Sequence, residues 1–152
     1  MSDSFSYDFG GASNLPRVRI SLRIFGDDLD PSFITQQLGI APTESGRKGE
    51  PNESSRRGAM SLWETGAWVF RLSVRSDTEL GDALDELLAA MPQDATLWEE
   101  LTSTYAVDVY CGVFLEANEQ STTIPADVLA RLGRLGLPLV FGLHAPADAD
   151  EG

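Results

Sequence analysis

The chain has 152 residues, 42% hydrophobic and 23% charged, a globular composition long enough for one core without covalent staples. Its 24 acidic residues outnumber 11 basic ones, a formal net charge of −13, and such a field repels nucleic acid and anionic membranes while drawing basic partners. The one cysteine, Cys111, excludes an internal disulfide framework, and no apolar run approaches the roughly 20 residues that span a bilayer.

Residues 1–14 are rich in Ser, Gly and Asp and lack the cationic-then-apolar pattern of a secretory signal. They read as a flexible leader, residues 146–152 as an acidic flexible tail, and 15–145 as a single domain with a cytoplasmic location expected. Val18, Ile20, Leu22 and Ile24 alternate with Arg17, Arg19, Ser21 and Arg23, the period of a half-buried strand. Asp30 and Pro31 then open a short helix that Gly39 ends, a side-chain cap followed by a proline that needs no N–H. Residues 41–61 form a long polar segment, and segments of that kind are usually functional or mobile.

Residues 63–74 read as a hairpin or a strand with a tight entry at Glu64-Thr65-Gly66, with Trp68, Phe70, Leu72 and Val74 on its inner face. Ser76 to Glu79 has capping-box spacing, and Leu80, Leu84, Leu87, Leu88 and Met91 form one helical stripe that Pro92 stops. Asp94 starts a further helix carrying Leu97, Trp98 and Leu101. Val107, Val109, Cys111, Val113 and Leu115 make a strong strand; Pro125 to Gly136 is a last helix; Leu137, Leu139, Phe141 and Leu143 make a final strand. Because the strands alternate, the expected class is α+β: a ferredoxin-like, mixed or antiparallel sheet with helices packed on one face.

The face left open by the helices would carry Arg19, Arg23, Phe25, Arg71, Arg75, Asp108, Tyr110, Phe114 and His144, with Gly112 and Gly142 as gaps where a flat partner approaches the backbone. Three readings stay open for it: a cradle for an anionic ligand, a sheet-to-sheet homodimer contact, or arginines paired across strands with Asp108 and Glu116. Aromatics and arginines on a sheet also suit RNA, but the net charge argues against nucleic acid. A second candidate is the polar segment, where Arg47 and Lys48 stand as cationic neighbours for the Trp63 indole and Arg56-Arg57 add charge. Trp68 is assigned to the core.

Catalytic and metal chemistries find little support. His144 and Cys111 have no partners at ligand spacing, Asp27 to Asp30 reads as a turn plus an N-cap, and no phosphate-binding loop, dinucleotide fingerprint or nucleophile elbow occurs. No cofactor and no metal are expected.

Residues 21–31, Leu38 to Thr43, Arg47-Lys48-Gly49, Trp63, Trp68, Val109 to Phe114 and the closing Ile124-Pro125 to Leu137 stretch together resemble the domain of unknown function 4279 family. The resemblance covers about residues 17–144 and implies a small bacterial stand-alone domain with no activity to carry over. That family's pattern often ends in an acidic or tyrosine-bearing strand, where this chain has Phe141-Gly142-Leu143-His144. The leading expectation is a non-enzymatic binding or protein-interaction module, inhibitor- or immunity-like toward a basic partner. The alternatives are a small-molecule enzyme or sensor holding an anionic ligand at Arg47, Lys48 and Trp63, and a homodimer through the sheet face. The candidate binding residues are Arg47, Lys48, Trp63, Arg19, Arg23, Arg71, Arg75 and Tyr110.

Overall fold

The computed structural model describes residues 15–53 and 61–146. The proposed leader, residues 147–152 of the tail and the Arg56-Arg57 pair lie outside the described residues. The elements run β1 (Arg17–Gly26), α1 (Pro31–Leu38), β2 (Glu44–Gly46), β3 (Gly66–Leu72), α2 (Leu80–Ala90), α3 (Ala95–Thr104), β4 (Ala106–Phe114), α4 (Ala126–Leu135) and β5 (Leu139–His144). They build one five-stranded mixed sheet in the order β2-β3-β1-β4-β5. Neighbours are antiparallel except β4 and β5, which are parallel and joined through α4. The protein is therefore α+β, with four helices and a mixed sheet. No helix among the described residues is long and apolar enough to cross a membrane.

The alternation in β1 decides which face the helices take. Ile20, Leu22 and Ile24 are fully buried, and they share one core with Ile34 and Leu38 of α1, Leu80, Ala83, Leu84, Leu87 and Leu88 of α2, Trp98 and Leu101 of α3, and Val128, Leu132 and Leu135 of α4. Trp68 lies in that core and donates its indole N–H to Thr35 Oγ1 at 3.0 Å; Trp98 donates to the Pro92 carbonyl at 2.8 Å. Each large buried ring thus keeps a partner for its single polar atom. The caps read from sequence hold at α1, where Asp30 accepts from the Ser32 N–H, and at α3, where Asp94 accepts from the Thr96 N–H. Gly39 and Gly136 end α1 and α4 at φ 76° and 72°, left-handed values that favour glycine.

Three expectations need correction. The Ser76-to-Glu79 capping box does not form: Glu79 is the N-cap and makes no side-chain cap bond. Instead Thr122 Oγ1 accepts from the Leu80 N–H, the Thr123 carbonyl accepts from Gly81, and Glu79 accepts from the Thr123 N–H. A distant loop satisfies that helix end, and Gly81 lets it approach, since a Cβ there would meet the Thr123 carbonyl and Pro125 Cδ at 2.5 Å. The strand expected over 63–74 begins at Gly66 and ends at Leu72. Its hairpin partner is β2, inside the polar segment, which is also tied by Trp63 N–H to Glu50 O and Gly49 N–H to Trp63 O.

Cys111 is buried in the core, and burial pushes its thiol up to about 12. A raised thiol pKa stabilises the fold below the unfolded value and loses that contribution as pH rises through the folded one, so stability should fall from near pH 9 toward 12. At pH 8 a thiol-reactive disulfide should leave native protein unlabelled and titrate one thiol per chain in denaturant. Rapid labelling of the native protein would contradict this packing.

Candidate functional site

The register places the other side of the same strands on a face without helices. Ser21 lies opposite Arg71 and Tyr110, Arg23 opposite Val69 and Asp108, and Arg19 opposite Gly112, while Gly142 and His144 of β5 follow beside Gly112 and Phe114. This surface holds a concavity of about 480 Å³ lined by Arg19, Arg23, Arg71, Trp63, Tyr110, Phe114 and His144 among others. Its floor includes Ser21 and Val69, both nearly buried at 6% exposure although no helix among the described residues covers them.

Two aromatic walls stand on glycines. Trp63 precedes β3 and folds its indole over Gly46, where any Cβ would collide with the ring; Tyr110 crosses from β4 onto Gly142 in the same manner. The gap expected at Gly142 is therefore filled by the protein's own tyrosine. Gly112 is similarly flanked, with Phe114 and Tyr110 ring atoms 3.3 and 3.4 Å from its would-be Cβ. These seats hold the rings at opposite sides of a trough, because Gly46 belongs to β2 and Gly142 to β5, at the two sheet edges. Phe114 also stacks on His144, with centroids 4.3 Å apart and planes at 5°.

The arginines on this face have distinct surroundings. Arg23 makes a two-pronged bond to Asp108, at 2.8 and 2.9 Å, and lies over Tyr110 at 4.7 Å and Phe25 at 5.6 Å. The hydrogen bonds to Asp108 hold its guanidinium more firmly charged than usual, against the opposing effect of burial. Arg71 pairs with Glu44 at 3.2 Å. Arg19 lies 5.2 Å from the Phe114 ring centroid; among the described residues no carboxylate is within ion-pair reach of it. Arg75 lies beyond the end of β3, lines a neighbouring concavity and pairs with Asp77 at 3.4 Å.

Of the residues singled out from sequence, Arg19, Arg23, Arg71, Tyr110 and Trp63 thus meet in one trough, with Arg75 next to it. Arg47 and Lys48 line neither concavity. They turn toward the start of α1, Arg47 pairing with Asp30 at 3.0 Å and Lys48 with Asp27 at 3.2 Å. Glu50 accepts from the Arg47 N–H at 2.9 Å and closes the turn. Sequence reasoning did not identify Glu44, Thr43, Val69 or the seat at Gly46. An isolated glycine in a strand is a signal of close approach, but its partner, 17 positions away, is not readable without the fold.

Asp27 gives a test of this loop. Thr65 Oγ1 donates to it at 2.9 Å and Lys48 adds a hydrogen-bonded ion pair, and both hold its carboxyl below the ordinary range, the threonine hydrogen bond being the largest single cause. A depressed carboxyl favours the folded state above the unfolded value of roughly 3.9 and loses that contribution as pH falls below it. An NMR titration should therefore place the Asp27 midpoint below 3.8. Thr65→Ala and Lys48→Ala should each raise it; an unchanged midpoint in both variants would refute the contact.

Among the described residues no group of three His, Cys, Asp or Glu side chains is arranged to hold a metal ion. No curated protein and no solved structure matches this chain. One family model does, described as domain of unknown function (DUF4279), over residues 16–146. That span takes in every described strand and helix, both aromatic walls and the trough between them, and the chain belongs to this family.

Proposed function

We propose that the protein is a non-enzymatic binding module whose open sheet face takes a flat, anionic small molecule. The observation that carries this reading is Arg19, a guanidinium with no carboxylate partner among the described residues, placed at the trough between fixed aromatic walls. A planar guanidinium binds two oxygens of a carboxylate or phosphate at once. The floor of Ser21 and Val69 offers a low surface on which a ring can lie. The β2-to-β5 span of the trough, four strand spacings or ~19 Å, leaves room for a small molecule lying flat. The antiparallel order β2-β3-β1-β4 also supports a ferredoxin-like core, to which α3 and the α4–β5 unit are additions.

Trp63 lines the trough while Trp68 and Trp98 lie in the core, so a ligand in the trough quenches the Trp63 share of the emission. Aromatic carboxylates and nucleoside monophosphates, titrated while tryptophan emission is followed, should give saturable quenching in at least one class and a matching rise in Tm. Arg19→Gln should weaken that binding by about tenfold, the loss of one charge-assisted pair. Silence across both classes, or full affinity in Arg19→Gln, sinks the proposal. So does a dimeric mass in solution with the trough closed by a second copy.

A different observation favours a second reading. Asp82 and Glu86 of α2 and Glu99 and Glu100 of α3 are exposed on the helical layer with no cation paired to them among the described residues, whereas Asp85 pairs with Arg131. This supports a basic protein partner, inhibitor- or immunity-like, docked on the helices and not on the sheet. A lysine-rich peptide should then bind at low salt and lose more than tenfold in affinity between 50 and 300 mM salt, with Asp82→Asn and Glu86→Gln weakening it. Binding that ignores salt would count against this partner.

A further inference from the structure

We propose that the open face carries a phosphate subsite beside the aromatic trough, so that the ligand it selects is a nucleoside di- or triphosphate. This rests on the trough being a ligand site, as argued above. A second concavity of about 470 Å³ shares Arg19, Arg71 and Phe114 with the trough and extends it toward the start of β1. Arg17 and Arg19 enter it from β1, and Arg71 and Arg75 from β3 and its continuation. Four arginines thus line one cavity in a chain that has 11 basic residues against 24 acidic ones, and no Asp or Glu is among the residues lining it. The hydroxyls of Thr43, Ser73 and Ser76 complete the wall with neutral donors.

Arg71 of this wall is held by Glu44 at 3.2 Å, and the other three charges are more available. Arg17 and Arg75 touch Glu116 and Asp77 only at 3.9 and 3.4 Å, with all four side chains more than half exposed. Exposed pairs of that kind contribute little, and a phosphate chain of higher charge displaces them readily. Arg19 needs no displacement. A single molecule reaching both concavities would place a ring on the trough floor and its phosphate chain among the arginines, with Arg19 and Arg71 at the junction.

The test is calorimetric titration with AMP, ADP, ATP and inorganic tripolyphosphate at constant ionic strength, without magnesium. Affinity should rise from AMP through ADP to ATP by at least thirtyfold, and tripolyphosphate should compete with ATP. In the Arg17→Gln/Arg75→Gln double variant the ATP-to-AMP affinity ratio should fall toward one. AMP and ATP binding equally well would overturn the subsite and leave the trough standing. Failure of every nucleotide, with an aromatic carboxylate still bound, would overturn the ligand class alone; failure of all ligands removes the trough as well. Tripolyphosphate binding as tightly as ATP, unaffected by Trp63→Ala, would show that no ring is read and overturn the joined ligand. A 5′-triphosphorylated oligonucleotide binding more tightly than ATP would assign the site to an RNA end and overturn the free nucleotide.

Discussion

Everything in this molecule depends on β1 being a central strand with two chemically different sides. It pairs with β3 along one edge and β4 along the other, so its backbone is satisfied and only its side chains remain to direct packing. Ile20, Leu22 and Ile24 are fully excluded from water. Burying each stabilises the fold by roughly 1.5–3 kcal/mol relative to leaving it exposed. The sheet cannot be turned over without exposing all three, and a register slip of one residue would bring Arg19 and Arg23 into the core. The arginine-bearing face is fixed in place by the aliphatic face behind it.

Given that constraint, the open face must organise itself without a covering layer, and it does so with rings laid on glycines. Trp63 over Gly46 and Tyr110 over Gly142 cover backbone that would otherwise lie bare near the sheet edges, an arrangement that also pins strand register. Tyr110 is held from a second side by the Arg23 guanidinium, itself clamped by Asp108. Cross-strand pair, cation and ring form one connected unit spanning β1, β4 and β5. The neighbouring Arg19 stands outside that unit, which separates its role from that of Arg23: one arginine is structural, the other is available.

Much of this was legible in the sequence where it depends on local periodicity. The alternation in β1 and β4, the Asp30 and Asp94 caps and the glycines after α1 and α4 are short-range signals, and the structure shows them where they were read. What was illegible depends on contacts between distant segments. The start of α2 is capped by residues some 40 positions later, so a nearby Ser-x-x-Glu pattern misleads. Arg47 and Lys48 looked like partners of Trp63 because they share a polar segment with it, yet Asp30 and Asp27 lie closer in space. Opposite charges on adjoining turns pair first, and a sequence does not show which turns adjoin. Strand period alone groups Arg19, Arg23 and Arg71 on the open face, whereas Arg75 falls past the end of β3, and the division into clamped and unclamped needs the positions of Asp108 and Glu44.

The distribution of charge bears on what such a face can capture. At a distance the chain presents a field of −13, which opposes any anion. At physiological salt that field fades beyond about 8 Å, whereas a ligand inside the trough meets low-dielectric walls and nearby guanidinium groups. Long-range steering therefore cannot help an anion arrive, and retention must come from contacts made at close range. Polyanions with large, uniform charge are penalised by the whole surface, and compact anions with a ring are penalised least for the contacts they gain. A cationic face on an acidic protein would in this way act as a filter under the proposed reading, disfavouring long nucleic acid while keeping the close-range contacts that hold a small ring and its charge.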